Sequence, residues 1–195
     1  MADTADLSFA ASELLGQTLG AVRVGFGEFD PDNTTILIES DWHAPGYSGV
    51  AGLHRFEDYG SHGEDLKRGV PVLNADIEAD PRTRDNPVNL RFLGVAAFLD
   101  VPIVEDGRTI AQMFVHSSVP RQWTNEDVAL VRDFAERTRA AIARRQAEAS
   151  LRKSEARQAF LLSLSDALRS CSTPSEIAWA AAERLGDRFG LNGRR

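Results

Sequence analysis

The sequence predicts an α+β fold in which an antiparallel sheet is flanked by helices and followed by a long helical extension at the C-terminus. Three observations support this prediction. Helical and strand-like periodicities follow one another in the order helix, hairpin, loops, short strand, hairpin and helix, with no run of βαβ units. The clearest hairpin signal is Glu105-Asp106-Gly107-Arg108, between two apolar runs. Residues 124–173 contain neither Gly nor Pro, which is typical of one long helix.

The first predicted element is an amphipathic helix over Ala5–Leu19. Thr4 is its expected N-cap, and Gly20 follows its last residue as the expected C′ glycine. Helical spacing predicts a buried apolar face made of Leu7, Ala11, Leu14, Leu15 and Leu19.

A hairpin is predicted next, because strand-like alternation over Val22–Phe26 and over Thr34–Trp42 surrounds the turn residues 30–33. Residues 43–62 are rich in Gly and aromatic side chains and are expected to form a loop. A short helix over Gly63–Arg68 and a brief strand over Val70–Leu73 should follow.

The second half of the sheet is predicted from residue 76 onward. Residues 76–86 are polar and irregular, and Pro87–Leu93 has the pattern of one or two helical turns. The strands Gly94–Val104 and Thr109–His116 are then expected to pair around the turn at residues 105–108.

The long C-terminal helix should begin at a capping box formed by Thr124 and Asp127. Residues 143–157 are almost wholly alanine and charged residues, and a polar stretch of this kind is typical of a helix that bridges two domains. Thr173 and Pro174 then open a new helix. The two apolar stripes of the long run are Val128, Val131, Ala135, Thr138 and Ile142, and later Leu161, Leu164, Leu168 and Cys171.

An internal repeat relates the two ends of the chain. Residues 6–20 and 176–190 align without a gap, and repeated sequence of this kind marks a repeated structural unit. The second copy therefore predicts the start of a second domain of the same type. The identical pairs are Ala10/Ala180, Ala11/Ala181, Glu13/Glu183, Leu15/Leu185, Gly16/Gly186 and Gly20/Gly190.

The composition excludes several classes of function. The chain has 195 residues, 43% hydrophobic and 26% charged, as in a soluble globular protein. Its net charge of −7 argues against a nucleic-acid partner. No apolar run approaches the roughly 20 residues of a membrane span, so we expect no membrane insertion. The N-terminus does not resemble a signal peptide, and Cys171 is the single cysteine, so the expected location is cytoplasmic.

No catalytic or metal constellation is visible in the sequence. The four histidines, His43, His54, His62 and His116, lack the spacing of a zinc site. No nucleophile elbow and no phosphate-binding loop is found. The polar segment around residues 76–83 is a solvated loop, a place where Arg82, Arg84 and Arg91 meet an anion, or a contact with another domain.

Several segments together resemble a GAF domain, the ligand-binding and interaction module of bacterial sensor proteins. Residues 14–24 read LLGQTLGAVRV, residues 76–83 read DIEADPRT, and residues 101–108 read VPIVEDGR. Residues 120–127 read PRQWTNED, and residues 134–145 are similar to the exit helix of GAF modules upstream of sensor histidine kinases. Residues 151–190 resemble the linker and first helices of a second GAF domain.

The resemblance implies a GAF-like sensory domain over residues 1–148, a helical linker over 149–173 and the truncated start of a second GAF-like domain over 174–195. It also implies a sensory or regulatory module of a bacterial signalling protein, a histidine kinase of the HWE type or one with several GAF and PAS domains. The exit helix would relay the signal to the downstream kinase region. This chain itself would have no enzymatic activity.

Departures from the family restrict the ligand. GAF domains that attach a bilin carry a cysteine in the domain, whereas Cys171 lies in the predicted linker, so we expect no covalent bilin. The residue sets of cyclic-nucleotide GAF domains and of free methionine sulfoxide reductases are also missing. The cofactor is therefore unknown at this stage.

The resemblance places a pocket under the loops on one face of the sheet. We expect a small, partly aromatic or anionic ligand there, with a structural dimerisation module without a ligand as the alternative and a small cytosolic enzyme as a remote one. The uncovered stripe from Leu161 to Cys171 predicts a homodimer through the helices. The predicted pocket residues are Trp42, Tyr47, His54, Phe56, Tyr59, Asp76, Arg82, Arg91, Phe92 and His116.

Overall fold

The structure is a computed structural model, and it describes residues 4–169 and 171–189. The chain divides into two compact units, the first ending at Ala143 and the second beginning at Arg144. Each unit is described here by itself.

The first unit is built on an antiparallel sheet of seven strands, which confirms the predicted fold class. The order of the sheet is β4-β2-β1-β7-β6-β5, and β3 also pairs with β1. The strands are β1 (Arg23–Phe29), β2 (Thr35–Ile38), β3 (Asp41–His43), β4 (Gly52–Arg55), β5 (Val72–Asn74), β6 (Ala97–Glu105) and β7 (Arg108–Ser117).

Helices cover both faces of this sheet or connect its strands. Gly20 adopts φ 60° just after α1, as predicted for a C′ glycine. The helices are α1 (Thr4–Leu19), α2 (Gly63–Lys67), α3 (Val88–Phe92), α4 (Asn125–Arg169) and α5 (Pro174–Phe189), with a 3-10 helix at Phe56–Tyr59.

Two strand predictions are corrected. The predicted strand Thr34–Trp42 is interrupted, and β2 and β3 are separate strands that both pair with β1. The predicted loop 43–62 contains the strand β4 and the 3-10 helix. Because β4 is a short edge strand that pairs only with β2, its side chains are not buried strongly enough to leave a clear apolar alternation in the sequence.

The buried face of α1 also differs from the prediction. Leu14 is 56% exposed, and the residues buried on this helix are Ser8, Ser12, Leu15 and Gly16. A Cβ atom on Gly16 would lie 2.2 Å from a ring carbon of Trp42. Small side chains therefore let α1 approach the sheet closely, and this is why the buried face is not the most apolar one.

The central hairpin β6–β7 turns at Asp106 and Gly107, whose φ angles of 51° and 78° are those of the predicted tight turn. The ladder contains a bulge next to Ile103 and Val104. Thr109 lies opposite Val104, whereas Ala111 lies opposite Ile103, so Ile110 is the additional residue. Beyond the bulge, Asp100 lies opposite Phe114.

Both faces of the sheet are buried, and each has its own core. On the helix face, the buried side chains of β1, β6 and β7 pack with Leu15 of α1 and with Val131, Ala135 and Ile142 of α4. The predicted first stripe of the long helix is confirmed by this packing. On the opposite face, a second cluster joins the sheet to the loops, α2 and α3; it includes Phe29, Ile36, Ile38, Val50, Phe56, Leu66, Val72, Leu90, Phe98 and Phe114.

The predicted capping box of α4 is present, and a similar arrangement occurs at the start of α5. At the start of α4, the Thr124 amide donates to Asp127 Oδ2 at 2.9 Å and the Asp127 amide donates to Thr124 Oγ1 at 3.0 Å. At the start of α5, the Thr173 amide donates to Glu176 Oε2 at 3.1 Å. Both copies of the internal repeat are helical, since residues 6–19 lie in α1 and residues 176–189 lie in α5.

The second unit contains the end of α4 and the helix α5. Cys171 is half-buried, and its thiol donates to the carbonyl of Ala167 at 3.3 Å. Several large apolar side chains of this unit are exposed, namely Leu151, Leu161, Leu162, Ile177, Trp179 and Leu185. None of the helices, over the residues that the structure describes, combines the length and the apolar character needed to cross a membrane.

We predict that Gly16→Ala lowers the free energy of unfolding by about 1–3 kcal/mol, as overpacking does. Alanine is the better helix former by about 1 kcal/mol, so a loss of stability would show that contact with the Trp42 ring outweighs helix propensity. Urea denaturation of the purified protein measures the effect.

Gln17→Ala is the matched control, because Gln17 is the exposed neighbour on the same helix; a change within about 0.5 kcal/mol is expected. In a Trp42→Leu background, the cost of Gly16→Ala should shrink, since the two positions are in contact. A Gly16→Ala protein at least as stable as the wild type would contradict the proposed packing.

Candidate functional site

A partly enclosed cavity lies on the loop face of the sheet. Its volume is about 70 Å³, counted as the space open to the centre of a water molecule. One water needs about 10–15 Å³ on this measure, so the cavity has room for a ligand of a few heavy atoms. The cavity is lined by Ile36, Ile38, Val50, His54, Arg55, Phe56, Tyr59, His62, Leu90, Leu93, Phe98, Asp100, Gln112, Phe114 and His116.

The register between β6 and β7 determines which side chains form the floor of the cavity. Phe98 lies opposite His116, and Asp100 lies opposite Phe114. Residues directly opposite each other in an antiparallel pair share a face, and so do residues two apart on one strand. Phe98 and Asp100 of β6 therefore share the loop face with Gln112, Phe114 and His116 of β7, while the residues between them face the helices.

A buried arginine holds two loops against one side of this cavity. Arg23 is only 1% exposed. Its guanidinium donates to the Ser48 carbonyl at 2.7 and 3.0 Å and to the Leu93 carbonyl at 3.1 Å. Another nitrogen, Nη1, lies 3.2 Å from His116 Nδ1, which must accept because a guanidinium only donates. The neutral His116 ring thus keeps its proton on Nε2.

His54 and Tyr59 form a satisfied polar pair in the cavity wall. His54 Nε2 lies 2.6 Å from the Val50 carbonyl oxygen, and since a carbonyl only accepts, Nε2 is the donor. The other ring nitrogen, Nδ1, lies 2.7 Å from the Tyr59 hydroxyl. These side chains therefore need no further partner, and they fix the shape of the wall.

His62 and Asp100 face each other across the cavity, with His62 Nε2 at 3.8 Å from Asp100 Oδ2. Burial disfavours charge on both groups. It lowers the pKa of His62 to about 4, helped by the positive charge of Arg82. It raises the pKa of Asp100 to about 8, against the opposing effect of Arg82. Both side chains are therefore predominantly neutral near pH 7.

His116 is neutral for the same reason. Burial, followed by the positive charge of Arg23, holds its pKa well below the ordinary value of 6.5. The floor of the cavity thus presents polar groups but little net charge at neutral pH.

Three buried polar atoms around the cavity have no hydrogen-bonding partner among the residues that the structure describes. They are His62 Nδ1, Asp100 Oδ1 and Gln112 Oε1, and the exposed fractions of these residues are 6%, 4% and 6%. A buried polar atom without a partner costs about 1–3 kcal/mol. Partners for these atoms would have to come from water or from a polar ligand in the cavity.

The structure brings together four of the sequence-predicted site residues, His54, Phe56, Tyr59 and His116, all of which line the cavity.

The predicted aromatic residues Trp42, Tyr47 and Phe92 do not line the cavity. Trp42 packs on α1, where its ring meets Gly16, and the Tyr47 ring packs over Gly94. Phe92 is 89% exposed. The sequence of an aromatic-rich loop does not show which rings point into the cavity, because that depends on the path of the loop over the sheet.

The predicted polar residues Asp76, Arg82 and Arg91 also lie outside the cavity lining. Arg82 donates to Asp80 at 2.6 Å and to Asp65 at 3.1 Å, and Arg91 pairs with Glu78 at the surface. Asp76 accepts the Glu78 amide at 2.9 Å in a turn. The guanidinium groups of Arg82 and Arg91 are therefore held by carboxylates outside the cavity lining.

Sequence reasoning missed six of the lining residues that carry chemistry or aromatic surface: Arg55, His62, Phe98, Asp100, Gln112 and Phe114. The available signal was Asp100, an acid inside an otherwise apolar strand. Its meaning depends on the hairpin register, which the bulge changes. Over the described part of the chain, no group of three or more His, Cys, Asp or Glu side chains is placed to hold a metal ion.

Comparisons with known proteins agree with this architecture. A family model described as "GAF domain" matches residues 3–142. No curated protein matches the chain.

Solved structures share the fold. The blue-light-absorbing form of the PixJ GAF domain of Thermosynechococcus elongatus is 22% identical, with a TM-score of 0.64 over 78% of this chain and 92% of that one. The green-light-absorbing state of a red/green cyanobacteriochrome is 18% identical, with a TM-score of 0.61 over 75% of this chain and 97% of that one.

A bacteriophytochrome from R. palustris, at 15% identity, gives a TM-score of 0.74 over 98% of this chain and 44% of that one. At these identities the likeness establishes the fold alone.

We predict that Asp100→Asn changes the pH dependence of stability. The pKa of Asp100 is about 8 in the folded protein against an ordinary 3.8, so the unfolded chain loses this proton first as the pH rises. Below about pH 4 this proton is bound in both states, and its contribution to the free energy of unfolding is at its maximum. Between about pH 4 and pH 8 that contribution falls by about 1 kcal/mol per pH unit. The Asn variant lacks this decline.

Urea denaturation from pH 5 to pH 8 should therefore show the variant gaining stability relative to the wild type as the pH rises. The opposite effect of His62, whose stabilisation falls as the pH drops from 6.5 to about 4, is present in both proteins and cancels in the comparison. Asp85→Asn is the control, since Asp85 is exposed. Parallel curves for wild type and Asp100→Asn would refute the buried neutral acid.

Proposed function

The chain belongs to the GAF domain family, and from this premise we propose that it is a sensory, ligand-binding module of a bacterial signal-transduction protein. One observation carries the proposal: the small cavity on the loop face of the sheet, around which three buried polar atoms have no partner in the described protein. A dimerisation module with a side-chain-filled interior would not need those atoms. Fold membership alone would not give this function.

The two-sided sheet supports a relay from the cavity to the long helix. Asp100 and Phe114 face the cavity, while their chain neighbours Leu99, Val101 and Val115 belong to the core on the helix face. Val131, Ala135 and Ile142 of α4 pack into that same core. A ligand that shifts β6 or β7 would therefore change how α4 packs on the sheet. This requires that the ligand binds two conformations of the domain with different affinity.

The finer parts of the proposal concern the parent protein. We propose a histidine kinase as the parent, with α4 leading to its kinase region and α5 beginning a second GAF domain. The internal repeat supports the second domain, because both of its copies are helical. We further propose that this module has no catalytic activity of its own, carries no covalent bilin and works in the cytoplasm.

A second candidate function is homodimerisation through the helices of the second unit. It rests on the exposed apolar side chains there: Leu161 is 52% exposed and Trp179 is 69% exposed. Exposed apolar surface of this kind marks an interaction site. Dimerisation and ligand binding are compatible, and a module that only dimerises is the alternative function.

We predict that the purified protein carries or binds a small molecule and that Leu93→Trp removes it. Leu93 is half-buried in the cavity lining, so a larger side chain there fills the space without forcing a close-packed core apart. Mass spectrometry of material released on denaturation, together with the absorbance of the native protein, measures occupancy.

Val88→Trp is the matched control, because Val88 begins the helix α3 that Leu93 directly follows, is 62% exposed and does not line the cavity. Its occupancy should equal that of the wild type. A protein that releases no small molecule and binds none from a metabolite extract would contradict the sensory role and favour the dimerisation module.

We predict that the protein is a dimer at tens of micromolar and that Leu161→Glu with Leu164→Glu makes it monomeric, since two charges would replace the apolar stripe. Light scattering coupled to size exclusion measures the mass. Ala159→Glu, an exposed position on the opposite side of α4, should leave the dimer intact. A monomeric wild-type protein would refute the dimer.

A further inference from the structure

The chemistry of the cavity specifies a class of ligand, an inference that rests on the function proposed above. We propose that the cavity binds a small cation with N–H donors, an amidine or an amine, through the side-chain oxygens of Asp100 and Gln112. The argument uses the unpartnered atoms, the state of the neighbouring charges, the walls and the size of the cavity.

The unpartnered oxygens call for hydrogen-bond donors. Asp100 Oδ1 and Gln112 Oε1 lie on the same face of neighbouring strands, as diagonal neighbours whose Cα atoms are about 7–8 Å apart in such ladders. Both atoms accept hydrogen bonds. A ligand that donates two N–H groups would give each oxygen a partner, whereas a carboxylate ligand has no hydrogen to donate.

The positive groups nearest to the cavity are already engaged. Arg82 is held by Asp80 and Asp65, at 2.6 and 3.1 Å. Arg23 donates to the Ser48 and Leu93 carbonyls and lies 3.8 Å from Asp41.

The remaining basic groups of the lining supply no counter-charge either. Arg55 points its guanidinium at Glu57, at 2.6 Å, and is mostly exposed. Burial keeps His62 and His116 neutral near pH 7, and His54 is hydrogen bonded to Val50 and Tyr59. The ionised form of Asp100 thus has no committed cation in the protein, and a cationic ligand would supply one.

The remaining walls suit a compact cation. Phe56, Phe98 and Phe114 line the cavity, and aromatic rings attract a desolvated cation that meets a ring face. The volume of about 70 Å³ limits the ligand, or the part of it that enters, to a few heavy atoms. An anion would find no uncommitted positive charge among these lining residues, and it would be repelled by the ionised form of Asp100.

Binding of such a cation is coupled to a proton. The carboxyl of Asp100 is protonated near pH 7 and must release that proton to solvent before it can pair with the ligand. Amidines remain cationic far above pH 8, so the affinity should rise about tenfold per pH unit below pH 8 and level off above it. The groups that face Asp100 keep their state over pH 6–9: His62 and His116 stay neutral, and Arg82 stays charged.

Three isosteric probes of four heavy atoms test the proposal on the full chain: acetamidinium, acetamide and acetate. Titration is followed by amide NMR shifts of β6 and β7. We expect acetamidinium to bind at least about tenfold more tightly than either of the other two at pH 8, the size of a hydrogen bond to a charged group. Asp100→Asn should abolish this preference, and Asp85→Asn, at an exposed acid, should keep it.

The outcomes separate the two proposals. Preferential binding of acetamide or acetate, or an acetamidinium affinity that does not change from pH 6 to pH 8, would overturn the cationic class and leave the sensory role standing. No shift in β6 or β7 with any of the three probes would overturn the ligand class, and the occupancy experiment with Leu93→Trp would then decide the sensory role independently. If Asp100→Asn fails to fold, the charge preference and pH profile of the wild type still decide.

Discussion

The central hairpin β6–β7 has to bury both of its faces, and this constraint organises the rest of the first unit. One face packs against α1 and α4 and is apolar throughout. The other carries Asp100, Gln112 and His116 together with Phe98 and Phe114. Polar groups in the middle of a buried sheet are costly unless they are satisfied. The loops, α2 and α3 cover this face incompletely, and the space that they leave is the cavity.

The loops reach their positions over the sheet through buried polar contacts. Arg23 donates to carbonyls at Ser48 and Leu93, which lie in two separate segments. Asp41 accepts a hydrogen bond from the Val50 amide at 2.8 Å. The Val50 carbonyl in turn accepts a hydrogen bond from His54, so Asp41 positions the hydrogen-bond partner of His54. Such contacts contribute modestly to stability but strongly to uniqueness, because the buried charge of Arg23 has few other arrangements that satisfy it. The shape of the cavity thus depends on residues that do not touch a ligand.

The family and the site answer different questions. Membership of the GAF domain family accounts for the sheet, the flanking helices and the part of α4 up to residue 142. The similar solved structures, at 15–22% identity, share that fold and say nothing more about this chain. The electrostatics of the cavity come from this chain's own side chains: a buried acid, neutral histidines and arginines paired outside it. Function is therefore argued from those side chains rather than from the fold.

The sequence by itself determined the order of most elements, the turn at Asp106 and Gly107, and the capping box and first apolar stripe of α4, because each depends on local chemistry or on a single periodicity. It identified the aromatic loop but only four of the residues that line the cavity, His54, Phe56, Tyr59 and His116. Only the tertiary structure decided which side chains join them. A regular ladder from the turn would set Met113 opposite Asp100, whereas the additional residue Ile110 sets Phe114 there and turns Gln112 and His116 to the same face. A shift of one residue exchanges the two faces of a strand, and the bulge that causes it is decided by burial on both sides of the sheet, which no local pattern records.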